Sequence, residues 1–281
     1  MAGGLTGYDR AFVQVVEEAW QEALKSDPGA ADEAKSSERH GQLDPSDPDL
    51  FALCDTYNYQ RHHADACRQA LREAGIESPR TGRPLVVIDI GAGACTVAVA
   101  LGKTWPQELS NVHYYAVEPH PKMRALGMQI VDALNWPFGH FHMFERTDQL
   151  LEPANSRKPE RFESARVLVT FNYVMQQGSV RRGTVSEWAG LLHGLVAHKA
   201  SVELLIVTVR NPCLDDRTDA LLRDLREVGV GDQRGCDRPF DFSPRYPREG
   251  RLSRESRPVS GVWSDGPKAK ARCRSYVLSA V

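Results

Sequence analysis

The chain predicts a doubly wound α/β fold, and three observations carry that prediction. Short apolar runs alternate with amphipathic stretches at 3–4 spacing between residues 84 and 228. The first apolar run ends in a glycine-rich turn that opens the next amphipathic stretch. A final run at Ala271 to Val281 follows a long unpatterned segment and reads as a strand closing the sheet. The expectation is a mostly parallel seven-stranded sheet with an antiparallel terminal strand, preceded by an N-terminal helical cap.

Taken in order, Tyr8 to Lys25 places Phe12, Val16, Ala19, Trp20, Ala23 and Leu24 on one helical face. Residues 26–49 are rich in Pro, Gly, Asp and Ser and are expected as a mobile loop. A second helix is expected from Leu50 to Ala74, with Gly75 as its cap. Leu85 to Ile90 (LVVIDI) reads as a parallel strand buried on both faces. Thr96 to Trp105 is helical and Pro106 ends it; Val112 to Val117 is the second strand. His120-Pro121 opens a helix with proline at a tolerated first position. Phe138 to Phe144 and Arg166 to Phe171 are the third and fourth strands. Val185 to His198 is helical, Val202 to Val209 is the fifth strand and Asp215 to Val228 a further helix. Residues 234–260 show no periodic element and are expected as an Arg-rich insertion. Val262-Trp263 is expected to pair with the last strand as a hairpin. This divides the chain into a helical cap at 1–80 and an α/β domain at 81–281.

Composition narrows the function. The 281 residues are 41% hydrophobic and 26% charged, with a formal net charge of −2. That is an ordinary globular balance without a global field toward nucleic acid or membrane. The N-terminus has no basic segment followed by an apolar run, so no secretory signal is expected. No apolar stretch approaches the roughly 20 residues of a membrane span; the best is Leu204 to Val209. Six cysteines without CxxC spacing suit reduced thiols in a cytoplasmic protein. Arginine outnumbers lysine 27 to 8, a bias that a GC-rich genome produces by itself.

The sharpest signal is the segment VIDIGAGACT, Val87 to Thr96. Gly91 and Gly93 let the backbone approach a ligand, and the following helix offers free N–H groups. A dinucleotide site wants a third glycine where this chain has Thr96. Asp89, two residues before the first glycine, would repel a pyrophosphate and suit a cationic ligand. Glu118, closing the second strand, can accept hydrogen bonds from both hydroxyls of a ribose. A nucleoside with positive charge and no phosphate describes S-adenosylmethionine (SAM).

On these residues, the stretch from about Pro84 to Val209 resembles the class I, Rossmann-like SAM-dependent methyltransferases. VIDIGAGACT looks like their motif I, YYAVEP like the acidic residue after their second strand, and VTFNYVMQQ lies where they carry motif IV. The resemblance implies SAM as cofactor, with Asp89, Gly91, Ala92 and Gly93 around its methionine end and Glu118 on its ribose. It points to Asp148 near the adenine and leaves a solvated loop aspartate as an equal reading. It also brings Tyr59 and Asn172 against the cofactor.

Motif IV of amino-directed nucleic-acid methyltransferases carries two prolines that Asn172-Tyr173-Val174-Met175 lacks. Asn172 could orient an acceptor through its amide; Tyr173 could offer a ring face or a hydroxyl, or simply cover the sheet edge. Upstream, Tyr59, His62 and His63 fall within about one helical turn, and His62 is the candidate base, with an exposed histidine pair on an amphipathic helix as the plainer alternative. Cys67 lies four residues after His63 without a second ligand pair, so no metal is expected. Cys95 reads as a small packing residue. Residues 234–274 hold 9 Arg and 2 Lys against 5 acids. Within them Arg248, Arg251 and Arg254, interleaved with aromatics, suit a phosphate-bearing acceptor such as RNA; a solvated insertion is the plain alternative. The expected function is therefore SAM-dependent methyl transfer to RNA, with a small-molecule acceptor as alternative. A non-catalytic nucleic-acid-binding module and a nicotinamide oxidoreductase are the readings from other classes.

Overall fold

The computed structural model describes residues 7–40, 47–80, 82–151, 165–176, 180–197, 201–209, 215–242 and 269–280. Seven strands form one sheet: β1 (Leu85–Ile90), β2 (Val112–Val117), β3 (His140–Phe144), β4 (Arg166–Asn172), β5 (Ser201–Val209), β6 (Val230–Phe242) and β7 (Ala269–Ala280). Their order is β3-β2-β1-β4-β5-β7-β6. β1 pairs in parallel with β2 and β4, while β7 runs antiparallel to both β5 and β6. The helices are α1 (Gly7–Phe12), α2 (Glu18–Ser26), α3 (Pro28–His40), α4 (Pro48–Glu73), α5 (Thr96–Thr104), α6 (Pro121–Leu134), α7 (Asp148–Leu151), α8 (Arg182–Ala197) and α9 (Asp215–Glu227). A π-helical turn, Val13–Glu17, joins α1 to α2.

All six residues of β1 are buried, which explains why its sequence is apolar throughout rather than alternating. Val86, Ile88 and Ile90 pack with Trp188, Leu191 and Leu192 of α8 and with α9. Leu85 and Val87 face the other way, onto α5 and the Ala66–Leu71 end of α4. The opposite side of α4, through Leu53, Cys54 and Ala64, meets Phe12, Val16 and Trp20 of the N-terminal helices. Trp20 stacks on Tyr57, ring centroids 5.8 Å apart. Burial of an aromatic such as Phe12 is worth roughly 2–3 kcal/mol. The N-terminal helices thus form a third layer over α4 and α6, and that layer reaches Ala94 of the glycine turn.

Two expectations are corrected. The segment 26–49 is not a loop throughout: residues 28–40 form α3, and α4 already begins at Pro48. Asp27 accepts the Ala30 N–H at 3.0 Å through Oδ1, just before Pro28 at the first helical position. Ala31 and Ala34 supply the buried face. So small an apolar stripe among Asp, Ser and Glu has the composition of a loop. The second correction concerns the tail. β6 runs through residues 234–242 and pairs with β7 from Val230↔Ala280 to Phe242↔Ala269, while Val262 and Trp263, expected to pair with the last strand, lie outside the described residues. A register shift between Arg234 and Cys236 breaks its alternation. Its polar side chains are used in pairs such as Asp237 with Arg272 at 2.8 Å.

Candidate functional site

The glycine turn lies at the carboxyl end of β1, between its two parallel neighbours. The N–H groups of Gly91 and Ala92 both donate to the Val117 carbonyl, at 2.9 and 3.0 Å. The Gly93 N–H donates to Oε2 of Glu118 at 2.8 Å. The other carboxylate oxygen, Oε1, accepts the His120 N–H at 2.9 Å. Glu118 is therefore aimed by backbone on both sides, and each oxygen keeps a lone pair for a further donor. Its side chain is buried, which raises its pKa; the two N–H groups and nearby Arg124 act in the opposite direction. Gly91 and Gly93 both have positive φ, +67° and +54°. They differ in surroundings: a Cβ on Gly91 would run into Val174, whereas a Cβ on Gly93 would meet nothing within 4 Å.

Asp89 is 0% exposed. Its oxygens accept hydroxyl hydrogen bonds from Tyr114 at 2.5 Å and Thr170 at 2.7 Å. It ties β1 to β2 and β4 beneath the turn. Burial lifts its pKa to about 6, against the pull of those two hydroxyls. Because the native value lies above the unfolded one, the native state holds the extra proton between about pH 4 and 6. Stability from this group is present in acid and lost as pH rises through about 6. The shift corresponds to about 3 kcal/mol. Asp89→Asn, which cannot ionise, should escape that loss. In urea titrations the variant-minus-wild-type stability should grow by that order between pH 4 and 7; a flat difference would refute the assignment.

At the carboxyl end of β4, Asn172 is 8% exposed and its Oδ1 is buried with no hydrogen-bond partner. Tyr173 follows with φ +63°, its N–H donating to Val207 at 2.8 Å. The Tyr173 ring is buried and stacks on His63, centroids 3.7 Å apart and 13° from parallel. His63 also stacks on Tyr59 at 5.4 Å. Burial drives the His63 pKa down to about 3, with the neighbouring His62 adding to it, and drives His62 down to about 4. Both rings are neutral at pH 7, and His62 has little driving force to take a proton there. The Tyr173 hydroxyl, raised by burial, is likewise a poor proton donor. Tyr173 thus covers the end of the sheet.

Other predicted residues lie elsewhere. Asp148, at the start of α7, is exposed and held by Arg146 through bonds of 3.0 and 2.8 Å. Arg146 also lowers its pKa. Arg248, Arg251 and Arg254 fall outside the described residues. Cys95 is buried, with φ +60°, and its sulfur lies where a side chain on Gly127 would have to go. That is the setting of a packing residue. Two features of the neighbourhood were not read from sequence: the packing of His63, noted there only as part of the Tyr59–His62–His63 cluster, on Tyr173, and Gln60, whose Nε2 donates to the Ala94 carbonyl. The i, i+4 spacing of Tyr59 and His63 was the available signal for the first. No group of three His, Cys, Asp or Glu side chains among the described residues is placed to hold a metal ion, and no described helix is long and apolar enough to cross a membrane.

No protein-family model matches the chain, and no curated protein matches it. Several solved structures are similar to it. A SAM-dependent methyltransferase from Aquifex aeolicus shares 12% identity at TM-score 0.46, over 83% of this chain and 98% of that one. Precorrin-6y C5,15-methyltransferase from Geobacter metallireducens shares 14% at 0.42, over 75% and 87%. Magnesium protoporphyrin IX methyltransferase from Synechocystis, with bound SAH, shares 12% at 0.40, over 77% and 82%. Likeness at such identities and TM-scores carries no argument, and the fold and the role of each residue rest on this chain's own geometry. With β1 inside the sheet, β7 inserted antiparallel between β5 and β6, and the glycine turn at the carboxyl end of β1, the chain has a Rossmann-like α/β fold.

Proposed function

We propose that this protein is a SAM-dependent methyltransferase. One observation carries the reading: Glu118, fixed through both oxygens by the N–H groups of Gly93 and His120, stands beside a left-handed glycine with open space at its Cβ position. Backbone fixes the carboxylate and leaves it acceptor capacity for two vicinal hydroxyls, which suits a ribose. The buried, unpartnered Oδ1 of Asn172 suits an N–H donor such as the ammonium of the methionine end. Asp89 then acts from below, holding the turn between β2 and β4. When bound, SAM supplies a methyl carbon already activated by its sulfonium, so the protein's task is chiefly alignment and exclusion of water. The neutral His63–Tyr173 stack supports that task by packing over the end of β4.

For the acceptor, the surplus of positive charge in residues 234–274 favours RNA. A small molecule is the alternative. Labelled methyl donor incubated with separate RNA, DNA, protein and metabolite pools decides between them; label in metabolites alone would exclude RNA. The cofactor is tested by calorimetric titration with SAM, S-adenosylhomocysteine and NAD. Binding of NAD alone would make the protein an oxidoreductase candidate, and binding of none would favour a non-catalytic module. Gly93→Ala supplies a sharper check. An alanine at φ +54° costs about 1–2 kcal/mol, and no described atom obstructs its Cβ. The variant should lose only a few degrees of melting temperature, yet bind SAM at least tenfold more weakly because the methyl enters the ligand's space.

A further inference from the structure

One chain of polar contacts in the N-terminal layer reaches the glycine turn. Gln60 is buried on α4, and both ends of its amide are used. Nε2 donates to the Ala94 carbonyl, and Oε1 accepts the Tyr8 hydroxyl of α1 at 3.3 Å. Ala94 lies between Gly93 at φ +54° and Cys95 at φ +60°. A cysteine adopts that conformation only when its surroundings hold it there. The Gly93 N–H, two peptide units upstream, is the group that aims Glu118. A continuous chain of hydrogen bonds therefore runs from Tyr8 through Gln60 to Ala94, and the backbone carries it on to the carboxylate. An apolar side chain would serve to dock α1 on α4. A buried amide costs more to bury and provides direction in return.

We propose that Gln60 is a positioning residue: it sets the orientation of the Ala94 peptide, and through it the Gly93–Glu118 contact, so that the N-terminal helices and the SAM site are energetically coupled. This rests on the reading of the turn as a SAM site. A second link is consistent with it, since Lys103 of α5 bonds Asp65 of α4 at 2.6 Å and lies 5.2 Å from the Tyr8 ring centroid.

The test measures SAM dissociation constants and melting temperatures on the full chain. Gln60→Leu should bind SAM at least tenfold more weakly. Tyr8→Phe should cost about threefold, because Gln60 keeps Ala94 but loses its own anchor. The double variant should bind no more weakly than Gln60→Leu alone. Gln60→Glu should match the leucine variant at pH 8, where a carboxylate cannot donate to Ala94. It should recover toward wild type, measured at the same pH, near pH 5.5, where the protonated acid can donate. A merely structural role would lower melting temperatures without moving affinity or its pH profile. If wild type binds SAM and the Gln60 variants bind within twofold of it, the positioning role is overturned and the cofactor reading stands. If wild type does not bind SAM, the cofactor reading fails and takes the coupling with it.

Discussion

Glu118→Gln should lower SAM affinity about 30- to 1000-fold, the equivalent of about 2–4 kcal/mol. The reason is geometric before it is electrostatic. Both carboxylate oxygens accept backbone N–H groups, from Gly93 at 2.8 Å and His120 at 2.9 Å. A glutamine has one oxygen. Whichever way its amide turns, its NH2 faces an N–H, and one charge-assisted bond of about 1.5–3 kcal/mol is lost. The side chain must then swing away, and the two lone pairs proposed for a ribose leave with it. Glu118→Asp keeps the charge but shortens the reach, so it should recover only part of the loss. Titration of the three proteins with SAM and S-adenosylhomocysteine checks this. Equal affinity in all three would remove Glu118 from the site.

Gly91→Ala should be the most destabilising single substitution in the turn, at about 2–5 kcal/mol. Two costs add. A non-glycine residue at φ +67° loses about 1–2 kcal/mol. The new Cβ would also lie 2.8 Å from the Val174 Cβ, with a γ-methyl closer still, and overpacking of that kind costs about 1–3 kcal/mol. Val174→Ala would give only partial relief, because it removes the γ-methyls but keeps the Cβ. Val174→Gly would remove the collision and leave the backbone strain. In a double-mutant cycle the Gly91→Ala and Val174→Gly pair should therefore be coupled by about 1–3 kcal/mol. Additive losses in thermal or urea unfolding would show that the two residues do not press on each other. The same contact ties the turn to the end of β4, so Gly91→Ala should also disturb Asn172.

Much of this was legible in the residues. β1 and β2 match their expected spans to the residue, because Pro84 and Gly91 bracket a run buried on both faces and His120-Pro121 marks the next helix. Gly91, Gly93 and Glu118 stood out because a turn with positive φ leaves a local signature. What stayed hidden depends on distant partners. Among its described side chains, α3 buries two small alanines in a polar context. β6 loses its alternation at a bulge and satisfies its charges across the sheet. Asp89 was expected to face a ligand, yet its hydroxyl partners lie 25 and 81 residues away and turn it inward. Gln60 meets Ala94 across 34 residues, which no spacing rule on α4 could announce.

The place of β7 has a consequence for how the sheet is assembled during synthesis. β7 is the last of the described strands, yet it lies inside the sheet, between β5 and β6. While β1 to β5 can pair as they emerge, β6 has no neighbour until β7 arrives to join it to β5. The nascent chain must therefore carry a 13-residue strand with both edges open. Such an edge recruits other chains. Gly235, Pro239 and the alternating acids and arginines of β6 interrupt it as a template for aggregation. Part of that strand's sequence thus serves the interval before the fold is complete as well as the fold itself.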